Sequence, residues 1–177
     1  MGVSISVELT DRDLRFFRDA VRKSRAAVRD ADEQEIIEAI QSVVDVIRVE
    51  CPLPDFIARR LPDLDSMIAM LKDAEWKLPK LDRERLVATF VYFGDPEDIV
   101  PDDIPGIGFI DDVILIELLI RDLRHVREAY ADFCKYRSSY ADNGDRITKR
   151  RRLEAKRKQL HGRMKRRQKR DRTTALW

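Results

Sequence analysis

The feature that most constrains the fold of this chain is a turn rich in proline, glycine and aspartate over residues 94–112. Pro96, Pro101 and Pro105 each lack an N–H donor and bias the preceding residue away from helical geometry, so a continuous helix cannot pass through this stretch. The flanking segments carry the most apolar helical patterns of the chain. We therefore predict a helical hairpin over about residues 86–123, closed by a structured, partly buried turn.

The remaining apolar residues recur at spacings of three and four, as on one face of a helix. Thr10 with Asp13, and Asp32 with Glu35, form helix-start patterns, and Pro62 marks a break or restart. The last apolar segment, from about residue 109, predicts one helix of roughly 30 residues, which is long by the usual standard. The patterns together predict an all-α fold: a single-domain helical bundle with a Pro/Gly/Asp-rich hairpin turn.

The charges are distributed unevenly along the chain. Lys and Arg number 35 and Asp and Glu 33, yet residues 146–177 contain 15 of the basic side chains and only 2 of the acidic ones. Residues 1–145 are therefore acidic, with 20 basic and 31 acidic side chains. We predict an acidic helical bundle over 1–145 and a basic C-terminal tail over 146–177. Apolar residues are sparse in the tail, so we expect it to be disordered or a solvated helix.

Several classes of protein are disfavoured by the sequence. No apolar stretch approaches the roughly 20 residues of a membrane-spanning helix, and no apolar leader precedes the first charges at Glu8 and Asp11. Cys51 and Cys134 are isolated, so neither a redox pair nor a zinc half-site is indicated. We expect a cytoplasmic protein without a cofactor. Trp76 is predicted to anchor the core edge, and His125 to lie on an exposed helix face.

The segment from Tyr92 to Ile120 resembles the YkvA-like domain, a short helix–turn–helix unit of mostly bacterial proteins. The resemblance rests on the spacing of Asp98, Pro101, Asp102, Pro105, Gly106, Gly108, Asp111 and Asp112. It implies a structural motif without an established biochemical role. Some relatives look membrane-associated, but Glu97, Glu117 and Asp122 interrupt the apolar runs here.

The aspartates of the turn allow three interpretations. In the structural interpretation, which we favour, the aspartates cap helix N-termini and form turns before proline. Carboxylates could instead bind Ca²⁺ or Mg²⁺, although the spacing differs from an EF-hand loop. A shared proton between two of them would suit acid–base catalysis, but no nucleophile or oxyanion donor accompanies them. A metal-dependent hydrolase is thus the third functional hypothesis, with weak metal candidates Asp98, Asp102, Asp111 and Asp112.

The basic tail carries the sharper functional signal. Its cations suit sequence-independent binding to the phosphate backbone of RNA or DNA. An acidic protein, the acidic body of this same chain, and an anionic membrane surface are the competing partners. The leading hypothesis is a non-enzymatic bacterial binding or adaptor protein, and the alternative is a membrane-peripheral protein that uses the hydrophobic hairpin. The predicted nucleic-acid-binding residues are Lys149, Arg150, Arg151, Arg152, Lys156, Arg157, Lys158, Lys165, Arg166, Arg167, Lys169 and Arg170.

Overall fold

The computed structural model describes residues 8–27, 31–50, 58–93, 110–139 and 146–171, and within these ranges it contains seven helices and no strand. The all-α prediction is therefore confirmed. The helices are α1 (Asp11–Ala27), α2 (Glu33–Glu50), α3 (Leu61–Lys72), α4 (Lys80–Phe93), α5 (Ile110–Asp122), α6 (Arg124–Ser139) and α7 (Arg146–Arg170).

The predicted helix starts are present as hydrogen bonds. The Asp13 N–H donates to Thr10 Oγ1 over 3.4 Å, and the Thr10 N–H donates to Asp13 Oδ2 over 2.8 Å, which forms a reciprocal cap on α1. These bonds to Thr10 hold the pKa of the Asp13 carboxyl below its usual value. The Gln34 N–H donates to Asp32 Oδ1 over 2.8 Å at the start of α2. Pro62 lies in the first turn of α3, where its missing N–H has no helical partner to lose.

Helix α4 is the centre of the bundle. It packs against α1, α2 and α5, so the two arms of the predicted hairpin are neighbours. Leu86, Val87 and Phe90 face the main core, which continues through α2, α3, α5, α6 and α7. On another side, Ala88 and Tyr92 meet α1 in a smaller cluster that also includes Leu115. The residues that close the hairpin, 94–109, lie outside the described ranges.

The long helix predicted from about residue 109 is instead two helices, α5 and α6, divided at Leu123. Leu123 is fully buried, and its N–H still donates to the Leu119 carbonyl over 2.8 Å. The apolar pattern runs through the division, which is why the sequence predicted one element. Glu117, the charge that interrupts the apolar run, forms an ion pair with Arg60 beside the start of α3.

The turn between α3 and α4 is organised by Asp73, whose side chain is only 7% exposed. Its Oδ1 accepts hydrogen bonds from the N–H groups of Glu75 and Trp76, at 2.9 and 3.0 Å. Its Oδ2 lies 2.8 Å from Arg137 Nη1 and accepts a 3.2 Å bond from the Tyr130 hydroxyl. One carboxylate thus shapes the turn and ties it to α6, which fixes the position of Trp76.

Candidate functional site

Helix α7 contains the basic residues that the sequence singled out, and it is docked on the bundle. Leu153, Leu160 and Met164 are 5%, 2% and 1% exposed and belong to the main core. The expectation of a disordered or solvated tail is therefore corrected for residues 146–171. Four apolar residues, Ile147, Leu153, Leu160 and Met164, are too sparse along the sequence to predict a buried face. Leu153, Leu160 and Met164 nevertheless share one stripe and join the core cluster to which α3, α4 and α6 also contribute.

The centre of the docking surface is Trp76, which is fully buried rather than at the core edge as predicted. Its ring centroid lies 5.3 Å from Phe133 of α6 and 4.5 Å from His161 of α7, and the imidazole stands edge-on to the indole. Burial, together with the nearby charges of Arg157 and Lys165, lowers the pKa of His161. The neutral imidazole therefore acts as an apolar ring in this contact.

Charged pairs flank the apolar stripe. Arg167 Nη1 lies 2.7 Å from Glu128 Oε2, and Arg163 pairs with Asp132, so acidic residues of α6 meet basic residues of α7. Each of these side chains is about 40–55% exposed, so each pair contributes at most about 1 kcal/mol. Their main effect is to set the register of α7 on α6.

The C-terminal end of α7 is held by Asp171. Its Oδ2 accepts a 2.7 Å hydrogen bond from Arg124 Nη2 and lies 2.8 Å from His125 Nε2. These two contacts hold the pKa of the Asp171 carboxyl at about 2. The His125 side chain is only 10% exposed, so its predicted place on an exposed face is wrong. Local spacing pointed to Asp122 and Glu128, and Glu128 Oε2 does lie 3.8 Å from His125 Nδ1, but the nearer partner, Asp171, comes from 46 residues away.

The predicted nucleic-acid-binding residues separate into two groups in the structure. One group makes internal contacts: Arg157 donates to the Glu75 carbonyl over 2.9 Å, and Lys156 lies 5.1 Å from the Tyr136 ring centroid. The other members of this group that make interactions within the chain are Lys149, Arg152, Lys158, Arg167 and Arg170. The second group has no ion-pair partner within the described ranges and is exposed to solvent: Arg150, Arg151, Lys165, Arg166 and Lys169.

A cleft of about 790 Å³ lies beside the end of α7, between the first turn of α4 and the α5–α6 junction. Its floor includes Asp82, which is 5% exposed and accepts a 3.2 Å hydrogen bond from Gln168 Nε2. Burial raises the pKa of the Asp82 carboxyl. Asp82 lies in the first turn of α4, which begins at Lys80. Sequence reasoning missed the other basic residues of the cleft, Lys80, Arg85, Arg121 and Arg124, because they come from three different helices.

The aspartate-rich motif is only partly described. Asp111 is 2% exposed, and its Oδ2 accepts a 3.0 Å hydrogen bond from the Tyr92 hydroxyl, which joins α4 to α5. Among the described residues, no three His, Cys, Asp or Glu side chains gather as a metal site requires. Of the other motif residues, Asp112 lies in α5 and the rest lie outside the described ranges: Asp98, Pro101, Asp102, Pro105, Gly106 and Gly108.

The fold and this surface define an all-helical protein that displays a docked basic helix. A family model described as "Protein of unknown function (DUF1232)" matches residues 85–118, from α4 into α5. The match falls on the segment of the YkvA-like resemblance and is consistent with it. Searches of curated proteins and of solved structures gave no match. None of the helices in the described ranges is long and apolar enough to cross a membrane.

Proposed function

We propose that this protein is a non-enzymatic binding or adaptor protein that holds nucleic acid through the outward row of α7, without reading base sequence. The outward row is defined as Arg151, Lys165, Arg166 and Lys169. All four side chains are exposed and have no ion-pair partner within the described ranges, and this observation carries the proposal. Cations in such a row release counterions from a phosphate backbone.

The row is long and its backbone is held in place. At about 1.5 Å per residue, Arg151 and Lys169 are roughly 27 Å apart along the helix axis, which approaches the ~34 Å of one turn of duplex DNA. Since α7 is anchored by Leu153, Leu160 and Met164, the helix does not have to be ordered when a ligand binds. A disordered tail of the same composition would bind more weakly, because part of the binding free energy would be spent on ordering the tail.

The composition of α7 favours backbone contacts over base contacts. Residues 146–171 contain no Phe, Tyr or Trp, so the helix offers no aromatic platform on which a base could stack. Lysine and arginine on an exposed helix face bind phosphate oxygens of any sequence. This pattern supports binding to RNA or DNA of regular backbone geometry with a strong dependence on salt.

A membrane surface presents phosphate groups as well, but α7 is poorly suited to insert into one. A membrane-surface helix places its apolar face between the lipid headgroups. The apolar stripe of α7 is instead packed in the protein core. The basic face alone would give only electrostatic attraction to anionic lipid, at about 1 kcal/mol for each basic residue. Nucleic acid therefore fits the outward row better than lipid does.

The test compares charge variants of the full chain, because a truncation before α7 would open the core around Trp76. R151Q/R166Q removes two exposed cations and R151K/R166K keeps the charge. We expect binding to a 20-base-pair duplex to weaken in R151Q/R166Q. We also expect the slope of log K against log salt to become shallower by up to about 1.8, at ~0.9 per phosphate contact. R151K/R166K should keep the original slope.

The control removes the same charge from another helix. Arg12 and Arg15 are exposed on α1, and R12Q/R15Q should leave the slope unchanged. An unchanged slope in R151Q/R166Q, or an equal loss in R12Q/R15Q, would remove α7 as the binding surface. Flotation with phosphatidylserine vesicles that is lost in R151Q/R166Q, without duplex binding, would assign the row to a membrane-peripheral function instead.

A further inference from the structure

We infer that the cleft at the end of α7, here named the α4–α7 cleft, is a binding site for a phosphate group. The α4–α7 cleft is lined by the first turn of α4, the α5–α6 junction and the last two turns of α7. Its volume of about 790 Å³ lies within the range of small-ligand sites. The inference goes beyond binding along the outward row, although Lys165 and Lys169 belong to both surfaces.

Three cations without an ion-pair partner in the described ranges converge on the α4–α7 cleft. Arg121 comes from the last turn of α5, and Lys165 and Lys169 come from α7, one helical turn apart. All three side chains are exposed. Their charges repel one another when they are held along one cleft, and an anion between them would relieve that repulsion. Arginine and lysine are the side chains that bind phosphate oxygens in proteins.

Two of the three acidic groups of the cleft are held by partners within the protein. The lining contains six Lys or Arg side chains and three aspartates. Asp171 forms an ion pair with Arg124 and a hydrogen bond with His125. Asp82 is buried, accepts a hydrogen bond from Gln168 and lies 3.8 Å from Arg85, so it is held by partners within the protein. A metal cation would be repelled by the excess of positive charge in the lining.

The experiment titrates pyrophosphate into the full chain by isothermal calorimetry at constant ionic strength. We expect saturable binding with one pyrophosphate per chain, and a loss of at least about tenfold in affinity for R121Q/K165Q, which removes two charge-assisted contacts. R121K/K165R preserves both charges and should bind within about threefold of the original chain. R12Q/R15Q removes equal charge from α1 and should bind as the original chain does. Circular dichroism establishes that each variant is folded.

Binding that is not saturable, or that is as tight in R121Q/K165Q as in the original chain, would overturn the inference. An equal loss in R12Q/R15Q would overturn it as well, because the effect would then come from net charge. None of these results would contradict the proposal that the outward row binds nucleic acid, since that proposal is tested by R151Q/R166Q with duplex. The two proposals therefore fail separately.

Competition identifies the source of the phosphate group. Displacement of pyrophosphate by a duplex with 5′-phosphates, but not by the same duplex with 5′-hydroxyls, would support a terminal phosphate of nucleic acid. Equal displacement by both duplexes would support the phosphodiester backbone. Displacement by adenosine diphosphate but by neither duplex would support a small phosphate-bearing ligand. Each of these outcomes places a phosphate group in the α4–α7 cleft.

Discussion

The imidazole of His161 stands edge-on to the indole of Trp76, with the ring centroids 4.5 Å apart and the planes at 85°. Trp76 belongs to the turn after α3, and His161 lies in the middle of the basic helix α7. This contact brings a helix dominated by lysine and arginine against the core of an acidic bundle. It also makes the docking of α7 sensitive to the protonation of one side chain.

We predict that the stability of the docked helix falls in mild acid. His161 has its pKa lowered from 6.5, mainly by burial. The unfolded chain therefore takes up the proton at higher pH than the folded chain. The contribution of neutral His161 is complete above pH 6.5 and is lost progressively as the pH falls from there toward its folded-state pKa. Urea unfolding at several pH values, followed by far-ultraviolet circular dichroism, measures the slope.

The variant H161F keeps a ring against Trp76 and cannot titrate. Its free energy of unfolding should depend less on pH below 6.5 than that of the original chain. His125 and the carboxylates are the same in both chains, so their contributions cancel in the comparison. Identical pH slopes for H161F and the original chain would show that the Trp76 contact is not protonation-sensitive.

The apolar stripe of α7 should contribute to the free energy of unfolding as buried core residues do. Leu160 is 2% exposed, so L160A should lower the free energy of unfolding by about 2–5 kcal/mol through lost burial and a cavity. Ile147 lies on the same helix but is 62% exposed, so I147A should change it by less than about 0.5 kcal/mol. Equal and small effects of the two substitutions in chemical denaturation would mean that α7 is not docked in solution.

Gly162 is a site where a substitution should stabilise α7. It lies inside the helix, and a Cβ there would meet only Arg166 Nη1, at 3.6 Å, which is an ordinary van der Waals distance. G162A should raise the free energy of unfolding by up to about 1 kcal/mol, because glycine loses more backbone entropy on folding. A155G, at an exposed position of α7, should lower it by a similar amount. Thermal unfolding measures both, and a destabilising G162A would contradict the prediction.

Asp73 and Asp65 offer a comparison of a buried and an exposed carboxylate. D73A removes the acceptor of two turn N–H groups and the partner of Arg137 and Tyr130, so it should cost at least about 2 kcal/mol. D65A removes a 2.8 Å ion pair with Arg48 in which both side chains are more than 40% exposed, and it should cost less than about 1 kcal/mol. The near-ultraviolet circular dichroism of Trp76 should decrease in D73A alone.

The starts of three helices could be predicted from the sequence, because each depends only on residues that are close together along the chain. The Thr10–Asp13 cap spans four residues, the Asp32 cap is equally local, and Pro62 marks a helix start by its own geometry. The break at Leu123 was not accessible in this way. No Pro or Gly is present there, and the apolar pattern continues from α5 into α6.

The α4–α7 cleft shows why a site can be invisible to motif reasoning. Arg121 and Lys165 are 44 residues apart, and Asp82 lies 39 residues before Arg121. None of the three has a spacing that predicts chemistry by itself. The single acid at the end of α7, Asp171, was the one signal that could have pointed to an anchor on the body. Its partner, His125, could not be identified from the sequence, because Asp122 and Glu128 are acidic residues much nearer to His125 along the chain.

The sequence by itself determined that this protein is helical, that prolines prevent a continuous helix through residues 94–112, and that its net positive charge is concentrated in the last 32 residues. These properties follow from backbone sterics, apolar periodicity and composition, which are local. Only the tertiary structure decided that the basic segment is a docked helix, and which of its cations face outward. That outcome depends on Leu153, Leu160 and Met164 packing into the core that contains Trp76, and this core forms only once helices distant in sequence have packed together.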